Sequence, residues 1–269
     1  MNDFEAYLGR PATTDDLNDD TVTLWVGDML LRGESPDKPR AIETVLSKAG
    51  RILTLWRFLF HRRVVDCYPT IEMPDAPEPS PVALDEQQLR RLFESAMCRP
   101  GLVGGVPARY WWPALFGFVF STSERKGGTF ATRWDWVSLE NRVCVIPAFV
   151  RKGKRKAATY PLWDEVIWLL SRIVEPRRDV VFNWDKSECS FYKHYSKILI
   201  DAQIPNDRKH KLQGLRVSHN TWTKVMTGRH SPLLMHSSTA TSERHYEDKR
   251  LTTLPPAKLF IPWMLPDAG

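Results

Sequence analysis

What the sequence lacks narrows its class before any motif is read. No stretch approaches the roughly 18 consecutive apolar residues that a membrane-crossing helix needs. The first twenty positions are acidic, where a secretory leader would be basic and then apolar. A soluble, cytoplasmic protein without a membrane partner is expected. Cysteine is scarce: Cys67, Cys98, Cys144 and Cys189 stand singly, which fits neither a paired-thiol zinc site nor a disulfide framework, so reduced and mostly buried thiols are expected. There is no glycine loop of the kind that cradles nucleotide phosphates and no pair of carboxylates at metal-ligating spacing. The spacings between His210, His219, His230, His236 and His245 match no common zinc pattern. No cofactor and no metal are expected, and no internal repeat or low-complexity tract is found.

What is present is an ordinary globular composition, 42% hydrophobic and 26% charged over 269 residues, enough for one large domain or two smaller ones. The net charge of +6 is unevenly spread. Residues 1–80 carry 9 basic and 14 acidic side chains, and the remainder carries 29 and 18. A basic C-terminal two-thirds points to a polyanion such as nucleic acid, because lysine and arginine gain affinity by displacing counterions from phosphates.

Five prolines between Pro69 and Pro81, set among acidic and small residues, favour extended backbone. An interdomain linker is placed at 69–83. Before it, N-cap candidates at Thr13 to Asp20 precede Val22, Trp25 and Met29 at helical spacing, and a long apolar stripe runs from about Lys38 to Arg62. A helical domain is expected over 1–68. After the linker, Leu84 to Met97 reads as an amphipathic helix and Tyr110 to Phe120 as a helix buried on nearly all sides. Trp134 to Glu140 and Arg142 to Pro147 then read as a β-hairpin, with Ala157 to Leu162 as a third strand. Helical pattern resumes over Trp163 to Ile173, Glu188 to Ala202 and Leu212 to Val225. The fold class expected is mainly α with a small antiparallel β-sheet (α+β). Most tryptophans, Trp111, Trp112 and Trp168 among them, lie in apolar helical stripes and are assigned to the core.

Taken singly, the polar residues of the second domain say little; their order is informative. Ser121-Thr-Ser-Glu-Arg125 precedes the hairpin, Lys152 lies in the hairpin's basic loop, and Gln213-Gly-Leu-Arg216 opens a helix. Leu234-Met-His236-Ser-Ser and Ser242-Glu-Arg-His-Tyr246 follow. This arrangement resembles the catalytic domain of the tyrosine recombinases, the phage integrase family, over residues 84–248, so a catalytic domain is placed at 84–250, and residues 12–65 look, more loosely, like that family's core-binding domain. The resemblance implies a two-domain clamp around duplex DNA and a site built from Arg125, Lys152, Gln213, Arg216, His236 and Tyr246. Arg125 and Arg216 would hold the scissile phosphate, Tyr246 would be the nucleophile, Lys152 the general acid, with Lys154 or Lys156 as alternates from the same basic run, and His236 a supporting hydrogen-bonder.

The chemistry is coherent. Planar, permanently charged guanidiniums suit the charge that grows on a phosphodiester's oxygens under in-line attack. A tyrosine among cations is more easily ionised, and its attack yields a phosphotyrosyl link that conserves the bond energy without metal or ATP. Four positions depart from the family pattern: Gln213 stands for the usual histidine, Gly128 for an acidic residue, and Met235 for a glycine, while Tyr246 follows His236 by ten residues where nine is commoner, His245 taking the ninth place. The resemblance implies a site-specific recombinase or integrase of a mobile element, nucleoid-associated in a prokaryotic or phage setting. Its implied partners are double-stranded DNA, further copies of the chain in a tetramer on paired sites, and an accessory DNA-bending protein. Competing readings are a decayed relative that binds DNA without cutting it, favoured by Gln213, and a type IB topoisomerase-like relaxing enzyme. The apolar tail, 251–269, is expected to dock on a neighbouring protomer or on its own domain.

Overall fold

Apolar residues three and four apart build the first helices. In the computed structural model, which describes residues 2–32, 40–75, 78, 80–151, 156–175, 177–234 and 239–252, α1 (Asn2–Leu8), α2 (Asp19–Arg32) and α3 (Ile42–His61) converge on one small core. Phe4 meets Trp25 edge-on at 5.0 Å. Trp56 is fully buried, and its indole N–H donates to the Cys67 carbonyl at 2.8 Å, the polar handle that a buried tryptophan needs. Arg51, Arg57, Arg62 and Arg63 remain exposed on and just beyond α3. The described positions from Cys67 to Asp85 form no helix or strand. The chain divides into two compact units, 1–78 and 79–269.

The second unit opens with α4 (Glu86–Met97), whose start is set by a reciprocal cap: Asp85 accepts from the Gln88 N–H at 2.7 Å and Gln88 accepts from the Asp85 N–H at 3.0 Å. A two-stranded ribbon follows, β1 (Leu102–Val103) against β2 (Val106–Pro107), turned through Gly104 and Gly105 with φ of 51° and 83°. Both turn residues need positive φ, which glycine adopts freely. Next comes α5 (Ala108–Thr122), buried along nearly its whole length, with Trp111 and Trp112 inside the core. Trp168 is half-buried and carries the Arg172 guanidinium 5.0 Å over its ring.

After the short α6 (Lys126–Ala131) the expected hairpin is present but shorter than its sequence pattern. Trp134–Trp136 form a 3-10 turn, so only Val137–Ser138 (β3) pair with β4 (Val143–Ile146); β5 (Ala158–Pro161) completes an antiparallel sheet in the order β3-β4-β5. Arg142, at φ 53°, leads into β4. Then come α7 (Asp164–Ser171), α8 (Glu188–Asp201), α9 (Leu212–Thr227), α10 (Thr239–Tyr246) and α11 (Lys249–Thr252). The buried α5 packs against α4, α7 and α9, and α10 and α11 both rest on α9. No helix among the described residues is long and apolar enough to cross a membrane.

One expectation is overturned. Cys144 alone is buried, while Cys67, Cys98 and Cys189 are exposed, because Cys98 caps the end of α4 and Cys189 lies in the first turn of α8, at element ends that face outward. All four are free thiols.

Buried on α9, His219 sits with its Nε2 2.6 Å from the Ser231 hydroxyl and its ring stacked on Trp163. Burial pulls its pKa down to about 4, against the hydrogen bond with the Phe120 backbone and aided by the Arg216 charge. A histidine whose pKa is depressed on folding stabilises the fold above its unfolded value and loses that contribution as pH falls from about 6.5 toward 4. Urea unfolding should therefore show that wild-type protein loses about 2–3 kcal/mol more than His219→Asn between pH 7 and pH 4.5. Equal losses would mean that His219 is not held neutral.

Candidate active site

The site begins at a sharp turn. Helix α5 ends on Ser123, whose φ of 54° lies in the left-handed region that side-chain-bearing residues seldom enter. Its N–H still donates to the Val119 carbonyl at 2.9 Å. The chain reverses there, and Arg125 becomes the N-cap of α6. The turn leaves the Ser123 carbonyl to accept a short hydrogen bond from Arg216 Nη1.

Arg216, in the second turn of α9, is only 3% exposed. A buried guanidinium must be paired to be tolerated. Its Nη2 lies 3.4 Å from the Tyr246 hydroxyl oxygen and its guanidinium carbon is 5.3 Å from the centroid of that ring. Its Nε has no hydrogen-bond partner among the described residues. Burial lowers the Arg216 pKa, opposed first by the Tyr246 phenol; from a starting value above 12, the group stays charged.

Tyr246 ends α10 and is strapped to α9 through its backbone. Its carbonyl accepts from Asn220 Nδ2 at 2.8 Å and from the Thr221 hydroxyl at 3.4 Å. The Asp248 N–H donates to the same Thr221 hydroxyl at 2.9 Å, and Lys224 pairs with Glu247 at 2.7 Å. The neighbouring His245 is exposed, so of the two adjacent residues it is Tyr246 that faces the arginine.

The phenols of the unit respond in opposite directions. Burial drives the Tyr160 and Tyr195 pKa values up. Burial also acts to raise Tyr246, but the charge and hydrogen bond of Arg216, a hydrogen bond with Gln213 and the charge of Arg125 outweigh it, holding Tyr246 below the ordinary phenol value of 10. Arg125, Gln213 and Arg216 line a cleft of about 600 Å³ together with Lys126, Arg208 and Lys211. Every charged residue in that lining is basic. Tyr192, also in the wall, has the Lys126 and Lys211 ammoniums 4.7 and 5.1 Å from its ring centroid.

Sequence order thus brings Arg125, Gln213, Arg216 and Tyr246 to one place. Lys152, His236 and the tail from 253 onward lie outside the described residues; Lys156, in the same basic run, is exposed.

No family model and no curated protein matches the chain. Solved structures do. A XerH site-specific recombinase bound to palindromic difH substrate, in a post-cleavage complex, is similar with a TM-score of 0.64 at 18% identity, over 93% of this chain and 75% of that one. A Tn1549 transposon integrase in complex with circular intermediate DNA gives 0.66 at 12% identity, over 87% and 82%. A lambda integrase dimer bound to a COC′ core site gives 0.62 at 11% identity, over 97% and 90%. The chain has the tyrosine recombinase fold.

Sequence reasoning missed Ser123, whose carbonyl holds Arg216, and Glu124, a carboxylate only 2% exposed beside Arg125. It also missed Tyr192, Arg208 and Lys211 in the cleft wall, which no periodicity marks because they belong to α8 and the loop before α9. The one sequence signal for Glu124 is glycine at 128, where a missing side chain leaves room for another.

If Arg216 holds the Tyr246 phenol below its ordinary value, Arg216→Gln raises it. Carbon-13 NMR of ring-labelled tyrosine, assigned with Tyr246→Phe, should show the Tyr246 midpoint below 10 in wild type and higher in the variant. An unchanged midpoint would separate the two groups.

Proposed function

We propose that the protein is a site-specific DNA recombinase that cuts and rejoins duplex DNA through a phosphotyrosyl intermediate at Tyr246. The observation that carries this reading is the Arg216–Tyr246 contact, a depressed phenol touching an arginine that lines a cleft whose charged residues are all basic. A scissile phosphate between Arg125 and Arg216 would meet two guanidiniums that strengthen their hold as charge develops on its oxygens. The Tyr246 phenolate, its proton released to solvent, attacks phosphorus, and the bond from phosphorus to the 5′ oxygen breaks. That oxygen takes a proton from Lys152, leaving the DNA 3′ end on the tyrosine. Attack by the 5′ hydroxyl of another strand reverses the steps and frees the phenol. Gln213, a neutral amide, can orient the phenol or the phosphate but cannot transfer a proton, so proton movement falls to Lys152, with His236 as a hydrogen-bonder to the phosphate.

Comparison with the DNA-bound recombinase and integrases supports double-stranded DNA as substrate and assembly of several copies on paired sites. The exposed arginines of α3 supply phosphate contacts from residues 1–68, and residues 84–250 carry the chemistry. The setting is cytoplasmic and nucleoid-associated. Against the reading as a DNA binder that has lost its activity, a binding surface has no use for a tyrosine held toward its phenolate by two arginines.

Nicked duplexes recovered from a randomised pool by binding to the Tyr246→Phe variant provide the test. Wild-type protein should form an adduct that survives detergent, Tyr246→Phe none, and Arg125→Ala or Arg216→Ala should slow adduct formation by about 10²-fold or more. Binding without any adduct would favour the non-cutting relative, and relaxation of unrelated supercoiled plasmid would favour a topoisomerase.

A further inference from the structure

Next to Arg125, outside the lining of the basic cleft, lies a buried acid whose role the reaction above does not use. Glu124 is 2% exposed. Its Oε1 accepts the Arg125 backbone N–H at 2.7 Å, and its Oε2 accepts from Arg151 Nε at 2.8 Å and from the Tyr160 hydroxyl at 2.7 Å. The carboxylate therefore satisfies the backbone of Arg125 and leaves its guanidinium, which makes no hydrogen bond or ion pair among the described residues, to the cleft. Tyr160 belongs to β5, and Arg151 reaches across to the Lys156 carbonyl at 3.3 Å and the Tyr160 hydroxyl at 3.2 Å. One carboxylate thus ties the N-cap of α6 to the end of the β-sheet.

The second observation concerns space. A Cβ at Gly128 would stand 2.7 Å from Glu124 Cγ, 2.8 Å from Cδ and 2.9 Å from Oε1. These approaches are closer than packed carbon atoms allow, and the Glu124 side chain is pinned by its three donors. The volume that a side chain at 128 would fill is the volume that the Glu124 carboxyl occupies. Gly128 does not have the positive φ that would require glycine, so what it supplies is room.

We propose that Glu124 is a positioning residue for the strand-cutting reaction, fixing Arg125 against the β-hairpin with a carboxylate that has taken over the space left by Gly128. This rests on the recombinase reading above. A carboxylate delivered from either position 124 or position 128 would serve, but not both together, because they compete for one space.

The experiment uses the full chain and the nicked duplexes recovered from the randomised pool, and reads three quantities: the single-turnover rate of adduct formation, duplex affinity, and the thermal midpoint. Glu124→Ala should slow adduct formation by about 10²-fold with affinity within about threefold of wild type. Gly128→Glu on its own should be as slow or slower and unfold at lower temperature. Glu124→Ala combined with Gly128→Glu should regain at least about tenfold of the lost rate, a departure from additivity expected of groups that share a site. Glu124→Gln, which keeps the size of the side chain, covers the case in which the alanine variant does not fold, and should be slowed in the same sense.

The proposal is overturned if Glu124→Ala, or Glu124→Gln in its place, cuts at the wild-type rate. It is also overturned if rate and affinity fall in equal proportion, or if the double variant is no faster than the single one. A wild-type protein that makes no Tyr246-dependent adduct on any recovered duplex overturns the recombinase reading itself and this proposal with it. A wild type that cuts beside an unaffected Glu124 variant overturns this proposal alone.

Discussion

A guanidinium that cannot lose its charge, buried to 3% exposure between a carbonyl and a phenol, is the constraint on which the site depends. Removing such an ion from water costs several kcal/mol unless its protons are met. The left-handed Ser123 meets one with its carbonyl, and Tyr246 meets another with its hydroxyl. The interaction acts on both partners: Arg216 is held at the cleft, and the phenol it touches is held below its ordinary pKa.

Polar groups further along the same helix hold its neighbours in place. Ser218, His219, Asn220 and Thr221 follow Arg216 along α9, all buried and each with a partner. Ser218 accepts the Leu84 N–H, while Asn220 and Thr221 hold the Tyr246 carbonyl. The helix that carries the arginine therefore also fixes the backbone of the tyrosine whose hydroxyl the arginine contacts. Beside the cleft, Glu124 satisfies the Arg125 N–H without forming an ion pair with its guanidinium among the described residues. The positive charge concentrated in the C-terminal two-thirds of the chain thus divides into residues that face one cleft and residues spread over the surface, such as Lys193 and Lys197 of α8.

Much of this was legible beforehand, and for definite reasons. Buried α5, amphipathic α4 and the α3 stripe follow from apolar periodicity, which reports packing directly. The order Arg125, Gln213, Arg216, Tyr246 could be read through resemblance even though 91 residues separate the two arginines. The β1–β2 ribbon carried a readable signal, Gly104-Gly105 flanked by valines, that went unread, and β3 proved shorter than its alternation because Trp134–Trp136 close a 3-10 turn. The Glu124 network was not legible, since its partners lie 27 and 36 residues away with no pattern linking them. The strained turn at Ser123 was equally hidden, because it is imposed by tertiary contacts on a residue with no local preference for positive φ.

The central claim, that Arg216 prepares Tyr246 and no neighbouring group to take the phosphate, is tested most directly by finding the residue that bears the DNA. Trapped adduct, trimmed by nuclease and protease and sequenced by mass spectrometry, should carry its nucleotide remnant on Tyr246. A remnant on His245, on another tyrosine, or on no residue at all would contradict the account.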